Sequence, residues 1–136
     1  MTRYASTTDL TRLGLPSASL SGVSTDTQED SLDAMSSIAD GYLASRKKLP
    51  LLAWGADLTV CVARLAAYDL MVTRGYAPEA GRDDQLRLRS EDAMRWLRDF
   101  AAGNVDSPAM VDSTPLDTSD EGVTYGASKP SRRWVR

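Results

Sequence analysis

The chain has 136 residues, enough for one domain with a buried core, and 42% of them are hydrophobic. Sixteen Lys and Arg against nineteen Asp and Glu give a net charge of -3, which argues against a protein that grips nucleic acid through bulk positive charge. Histidine is absent and cysteine occurs once, which excludes histidine acid–base chemistry, an internal disulfide and a Cys-cluster zinc site.

The opening residues MTRYASTTDLTRLGL contain no apolar run of signal-peptide length. Thr7 or Thr8 is placed to cap a short helix through Asp9, Leu10 and Leu13, stopped by Gly14 and Pro16. Ser17–Gly22 has a loop composition. The first long helix is predicted from about Asp26, with Thr25 and Gln28 at capping-box spacing and acidic residues near the positive end of the dipole. Leu32, Met35, Ile38, Ala39, Tyr42 and Leu43 form its apolar stripe. Arg46, Lys47 and Lys48 suit a helix C-terminus or an acidic surface on a partner subunit, and Pro50 closes the element.

A second helix is predicted over Ala56–Arg74. It is apolar nearly all round, which suits a central helix or one partly covered by a neighbouring subunit. Arg64 and Asp69 interrupt its most apolar stretch, Leu58–Val72, so no membrane span is expected. The third helix is predicted over Asp83–Ala102, with Leu86, Ala93, Met94, Leu97, Phe100 and Ala101 inward and Gly103-Asn104 as its stop. Leu65, Leu97 and Ile38 are expected in one core. The fold class is therefore all-α: a small bundle of three long helices plus a short N-terminal helix over residues 1–104, followed by an extended arm over 105–136.

In that arm Asp106, Asp112, Asp117, Asp120 and Glu121 precede Lys129, Arg132, Arg133 and Arg136. The segment has too little apolar surface to fold alone, yet Met110, Val111, Val123, Tyr125, Trp134 and Val135 are more anchors than an inert linker carries. Val123, Tyr125, Lys129, Arg132, Arg133, Trp134 and Arg136 are the candidate docking residues, because arginine beside an indole is enriched at interfaces.

No pattern points to catalysis. Adjacent carboxylates at Asp83/Asp84 and Glu91/Asp92 diverge by ~100° on a helix and do not converge on one substrate. Cys61 sits on an apolar stripe without a histidine to activate it and reads as a small core residue. No nucleophile elbow or phosphate loop occurs. The acidic run Ser24–Asp33 lacks the central glycine of a calcium loop, so capping explains it and no metal or cofactor is expected.

Several strings in fixed order resemble a known family. Tyr4-Ala5-Ser6-Thr7-Thr8-Asp9-Leu10 matches a "Y-a-t-x-x-D-L" opening. Asp40, Gly41, Tyr42, Leu43, Arg46, Leu49, Pro50 and Leu51 match "D-G-Y-L-a-x-R-y-x-L-P-L". Ala66, Tyr68 and Leu70 fit the following helix, and Glu91, Asp92, Ala93, Leu97 and Gly103 fit the last. The set resembles the tailed-phage head–tail connector (adaptor) proteins, in particular the small Mu-like prophage branch of virion proteins. That resemblance covers residues 4–104, and the stretch after Val105 carries no motif of the branch. It implies a non-enzymatic virion protein at the head–tail interface, present in the host cytoplasm during assembly. Its implied partners are copies of itself in a ring, dodecameric as a rule, the portal protein and the next tail component, with genomic DNA passing through the channel without specific binding. The other reading of the residues is a small helical nucleic-acid-binding packaging factor using Arg46–Lys48 and the basic C-terminus.

Overall fold

A computed structural model describes residues 2–75 and 81–113. The chain is all-α. A short helix α1 (Thr7–Asp9) runs on as a π-helical turn, Leu10–Gly14, and is followed by a 3-10 turn at Ser17–Leu20 where sequence composition suggested only a loop. Three long helices follow, α2 (Thr25–Leu43), α3 (Ala56–Gly75) and α4 (Gly81–Ala102). No described helix is long and apolar enough to cross a membrane.

The caps lie close to the predicted positions but use different residues. Ser6, not Thr7 or Thr8, caps α1 and forms a reciprocal capping box with Asp9. Ser24 caps α2 by accepting from the Thr27 N–H at 3.2 Å, while the Gln28 side chain donates to the Val23 carbonyl rather than completing a box with Thr25. At the other end of the bundle Gly103 takes φ +86°, a left-handed conformation that favours glycine. Its N–H donates to Phe100 O and the Asn104 N–H to Asp99 O, the paired bonds of a Schellman stop.

Helix α3 is the centre of the bundle. It packs against α4, α2 and the N-terminal turn, and Leu58, Val62, Ala63, Ala66 and Ala67 are completely buried within the single chain. Its all-round apolarity is thus largely satisfied without a neighbouring subunit. Small residues allow close approach: a Cβ on Gly14 would lie 2.9 Å from Ala67 Cβ and 3.0 Å from the Ala63 carbonyl. Leu65 and Leu97 share the core as expected.

Ile38 does not, being 43% exposed. The buried face of α2 is Leu32, Ser36, Ala39 and Leu43, and Ile38 lies about 130° round the helix from its centre. Ser36 occupies the inward position because its hydroxyl accepts from the Tyr4 N–H at 3.1 Å. Ser31, also buried, donates to Asp69 Oδ2 at 2.8 Å. A stripe drawn through apolar residues alone misses Ser36 and rotates toward Met35, Ile38 and Tyr42; Ser31 lies on that side too, but early in α2, where it meets Asp69 of α3.

Candidate docking surface at one end of the bundle

The end of α2, the start of α3 and the end of α4 meet at one end of the bundle, where two non-helical stretches close it. Residues 44–55 connect α2 to α3. Residues 105–113, grouped with the arm from sequence, fold back along that connection. An antiparallel bridge joins Ala53 and Val111, with Val111 N–H donating to Ala53 O at 2.8 Å and Leu52 N–H donating to Val111 O at 2.7 Å. Ser113 donates through both its N–H and its hydroxyl to the Lys48 carbonyl, and Lys48 N–H donates to Asp112 Oδ2. Ser107, buried, donates its hydroxyl to Asp57 Oδ2 at 2.7 Å, and Met110 fills the edge of the core. The packed body therefore runs to residue 113, beyond the Schellman stop that ends α4.

Arg46 fills a structural position. Its Nη1 donates to Phe100 O at 3.0 Å and to Val105 O at 2.8 Å, and its guanidinium lies 4.6 Å from the centre of the Phe100 ring. The Phe100 carbonyl in the last turn of α4 and the Val105 carbonyl just beyond the helix thus receive a cation from the turn that follows α2. Helix α2 itself ends at Leu43 with no basic residue in its last turn, so the basic cluster does not cap its own helix. Lys47 is half-buried and Lys48 exposed, and neither ammonium has an ion-pair partner among the described residues. Beside them lie Leu52, 68% exposed, and Val111, 49% exposed. Paired backbone, two bare apolar side chains and two free lysines together make a surface suited to a protein partner.

Tyr4 locks the same end from the other side. Its ring is buried and meets Trp54 edge-on at 4.9 Å, its hydroxyl donates to Asp40 Oδ1, and its carbonyl accepts from Thr59 Oγ1 at 3.0 Å. Burial, followed by the Asp40 carboxylate, pushes the phenol well above its ordinary value, so it stays a donor. Tyr4 and Asp40 each sit in one of the strings that carry the family resemblance, and the fold brings them into contact. Trp54 and the Asp57–Ser107 pair have no such signal, because they act through a turn whose path sequence periodicity does not describe.

No group of three His, Cys, Asp or Glu among the described residues is placed to hold a metal ion. Cys61 is buried, donates to Ala93 O at 3.4 Å, and desolvation pushes its thiol up to about 12. Asp84 and Glu91 pair with Arg87, and Asp92 with Arg95, all along the surface of α4. The remaining candidate docking residues, Val123, Tyr125, Lys129, Arg132, Arg133, Trp134 and Arg136, lie outside the described residues.

No curated protein matches the chain. The family model described as "Bacteriophage Mu, Gp36" matches residues 2–125, covering the whole helical body and continuing past the last described residue into a stretch where no motif is visible by eye. This is a Mu-like phage protein, and the chain belongs to the bacteriophage Mu Gp36 family.

Proposed function

We propose that the protein is a head–tail connector: a non-enzymatic virion component that forms a ring under the portal, extends the DNA channel and joins head to tail. The observation that carries this reading is the position of the Asp40–Leu51 string. It holds the strongest connector resemblance, and in the fold it is the hub of one bundle end. Asp40 receives Tyr4, Arg46 holds α4, and Lys48 receives the segment after it. A rigid end displaying Leu52, Val111, Lys47 and Lys48 suits contact with the portal or an adjacent copy, and Val123, Tyr125, Lys129, Arg132, Arg133, Trp134 and Arg136 extend that contact. A net charge of -3 repeated around a ring would keep the channel from gripping DNA. The packaging-factor reading loses support because Arg46, the strongest phosphate ligand of the basic cluster, is committed to α4.

Mixing the purified protein with its portal tests the proposal by light scattering and negative-stain imaging. A ring that co-purifies with portal, and negligible duplex binding at physiological salt, is the expected result. A monomer indifferent to portal sinks it, and submicromolar duplex binding with a steep salt dependence favours the packaging factor instead. Deletion after residue 113, compared with Arg133→Ala/Trp134→Ala, asks whether the arm docks. Both proteins are expected to retain helical circular dichroism and to lose portal attachment.

A further inference from the structure

A groove of about 440 Å³ runs between the first half of α3 and the middle of α4, floored by Val60, Cys61 and Ala93 and walled by Trp96. Three charged side chains line it, and two are already satisfied. Asp57 accepts from the Leu58 N–H and the Ser107 hydroxyl, and Asp92 pairs with Arg95. Arg64 is different: its Nε is buried without a hydrogen-bond partner, and no ion pair engages its guanidinium among the described residues. An unpaired guanidinium N–H shielded from water is relieved by anything that brings an acceptor into the groove, best an anion.

The chain carries a segment of that chemistry. Asp120 and Glu121 stand directly before Val123 and Tyr125, two carboxylates followed by two apolar side chains. We propose that this segment, residues 120–125, docks in the α3–α4 groove, with its carboxylates on Arg64 and Val123 or Tyr125 against Trp96 and Val60. The length fits. Ser113 is tied to Lys48, and the extended chain from there to Asp120 spans ~24 Å. Arg64 lies about 12 Å along α3 from Ala56, which follows the Ala53–Val111 bridge closely. The family match runs to Tyr125 and so includes the segment. Charge segregation in the arm then has a reason: its acidic half is held by this fold, which takes Val123 and Tyr125 out of the portal contact proposed above, and its basic half is left for a partner. The inference stands whether or not the partner is a portal.

Paramagnetic relaxation in the full-length chain tests it. A nitroxide at Gly122→Cys leaves Cys61 unlabelled, since that thiol is buried. Loss of the Val60, Arg64, Ala93 and Trp96 amide signals, restored by Arg64→Gln, by Asp120→Asn/Glu121→Gln and by high salt, is the expected result. A mixed sample of labelled and isotope-enriched chains reads the source of the segment: relaxation confined to the same copy is expected, and relaxation only between copies overturns the intrachain docking. Groove signals left intact, or lost equally in an otherwise folded Arg64→Gln protein, overturn it. An intact portal interaction would not rescue the inference, and a failed one would not harm it.

Discussion

Two short stretches close the bundle, residues 3–15 with α1 and its π-helical turn from the N-terminal side and the non-helical 105–113 from the C-terminal side, and they are held by different forces. The first is held by buried side chains. Tyr4, Leu10 and Leu15 are at most 2% exposed, and each such apolar side chain stabilises by roughly 1.5–3 kcal/mol. The second is held mainly by backbone bonds to 48–53, with Met110 as its principal apolar anchor and Leu52 and Val111 left bare. A stretch that spends its apolar residues on its own core is structural. One that shows them to solvent is available to a partner, and the basic turn beside it points the same way.

The largest test of that contrast is Tyr4→Ala. It empties a buried aromatic site and removes the donor to Asp40, so a loss of about 3–5 kcal/mol in denaturant unfolding is expected. Tyr4→Phe keeps the ring and is expected to lose only about 1–2 kcal/mol. A Tyr4→Ala loss below ~1 kcal/mol would show that the N-terminal stretch is no more integral than the other. Met110→Ala should cost about 2 kcal/mol, the low end for a buried methionine, because the site is at the edge of the core. Arg46→Ala is expected to cost about 1–2 kcal/mol by freeing the last carbonyls of α4 and the Phe100 face, with Arg46→Lys rescuing little because one ammonium cannot match that fork.

Acid should loosen the N-terminal stretch first. The Ser6 backbone N–H, with Arg12, holds Asp9 below its ordinary value of 3.8, and the Arg3 side chain does the same for Asp33. Carboxylates lowered in the folded state contribute stability that is present above the ordinary value and lost as pH falls through the lowered one. Trp54 fluorescence, reporting the Tyr4 contact, should therefore change below about pH 4, and Asp9→Asn should reduce the step. The effect is small, since the Arg3–Asp33 pair is solvent-screened. Smallest of all is Ile38→Gln, expected within ~0.5 kcal/mol of the parent in the isolated chain. A larger loss would mean that a second copy covers that face.

Much of the fold was legible from the chain alone. Apolar spacing places α3 and α4 to within a residue or two, and Gly103-Asn104 marks the stop because a residue tolerant of positive φ ends a helix that way. The apolar character of α3 announced a central helix. What periodicity could not supply was the rotation of α2, since Ser36 takes an inward position through a hydrogen bond from Tyr4 that exists only after packing, nor the burial of Ser31 against Asp69. The candidate docking surface was half visible: the basic turn stood out, but its assignment split because Arg46 bonds to the end of α4 while Lys47 and Lys48 make no ion pair among the described residues.

Sequence by itself determined the helical class, the central helix, the exclusion of histidine chemistry and the strings that mark the family, because each depends on composition or on residues near one another in the chain. Tertiary structure decided which polar groups are buried, where the packed body ends, and which cations among the described residues make no ion pair. Those outcomes depend on pairs such as Tyr4 with Asp40, Arg46 with Phe100 and Ala53 with Val111, far apart in the chain, whose bonds form only when folding excludes water and leaves each donor one acceptor within reach.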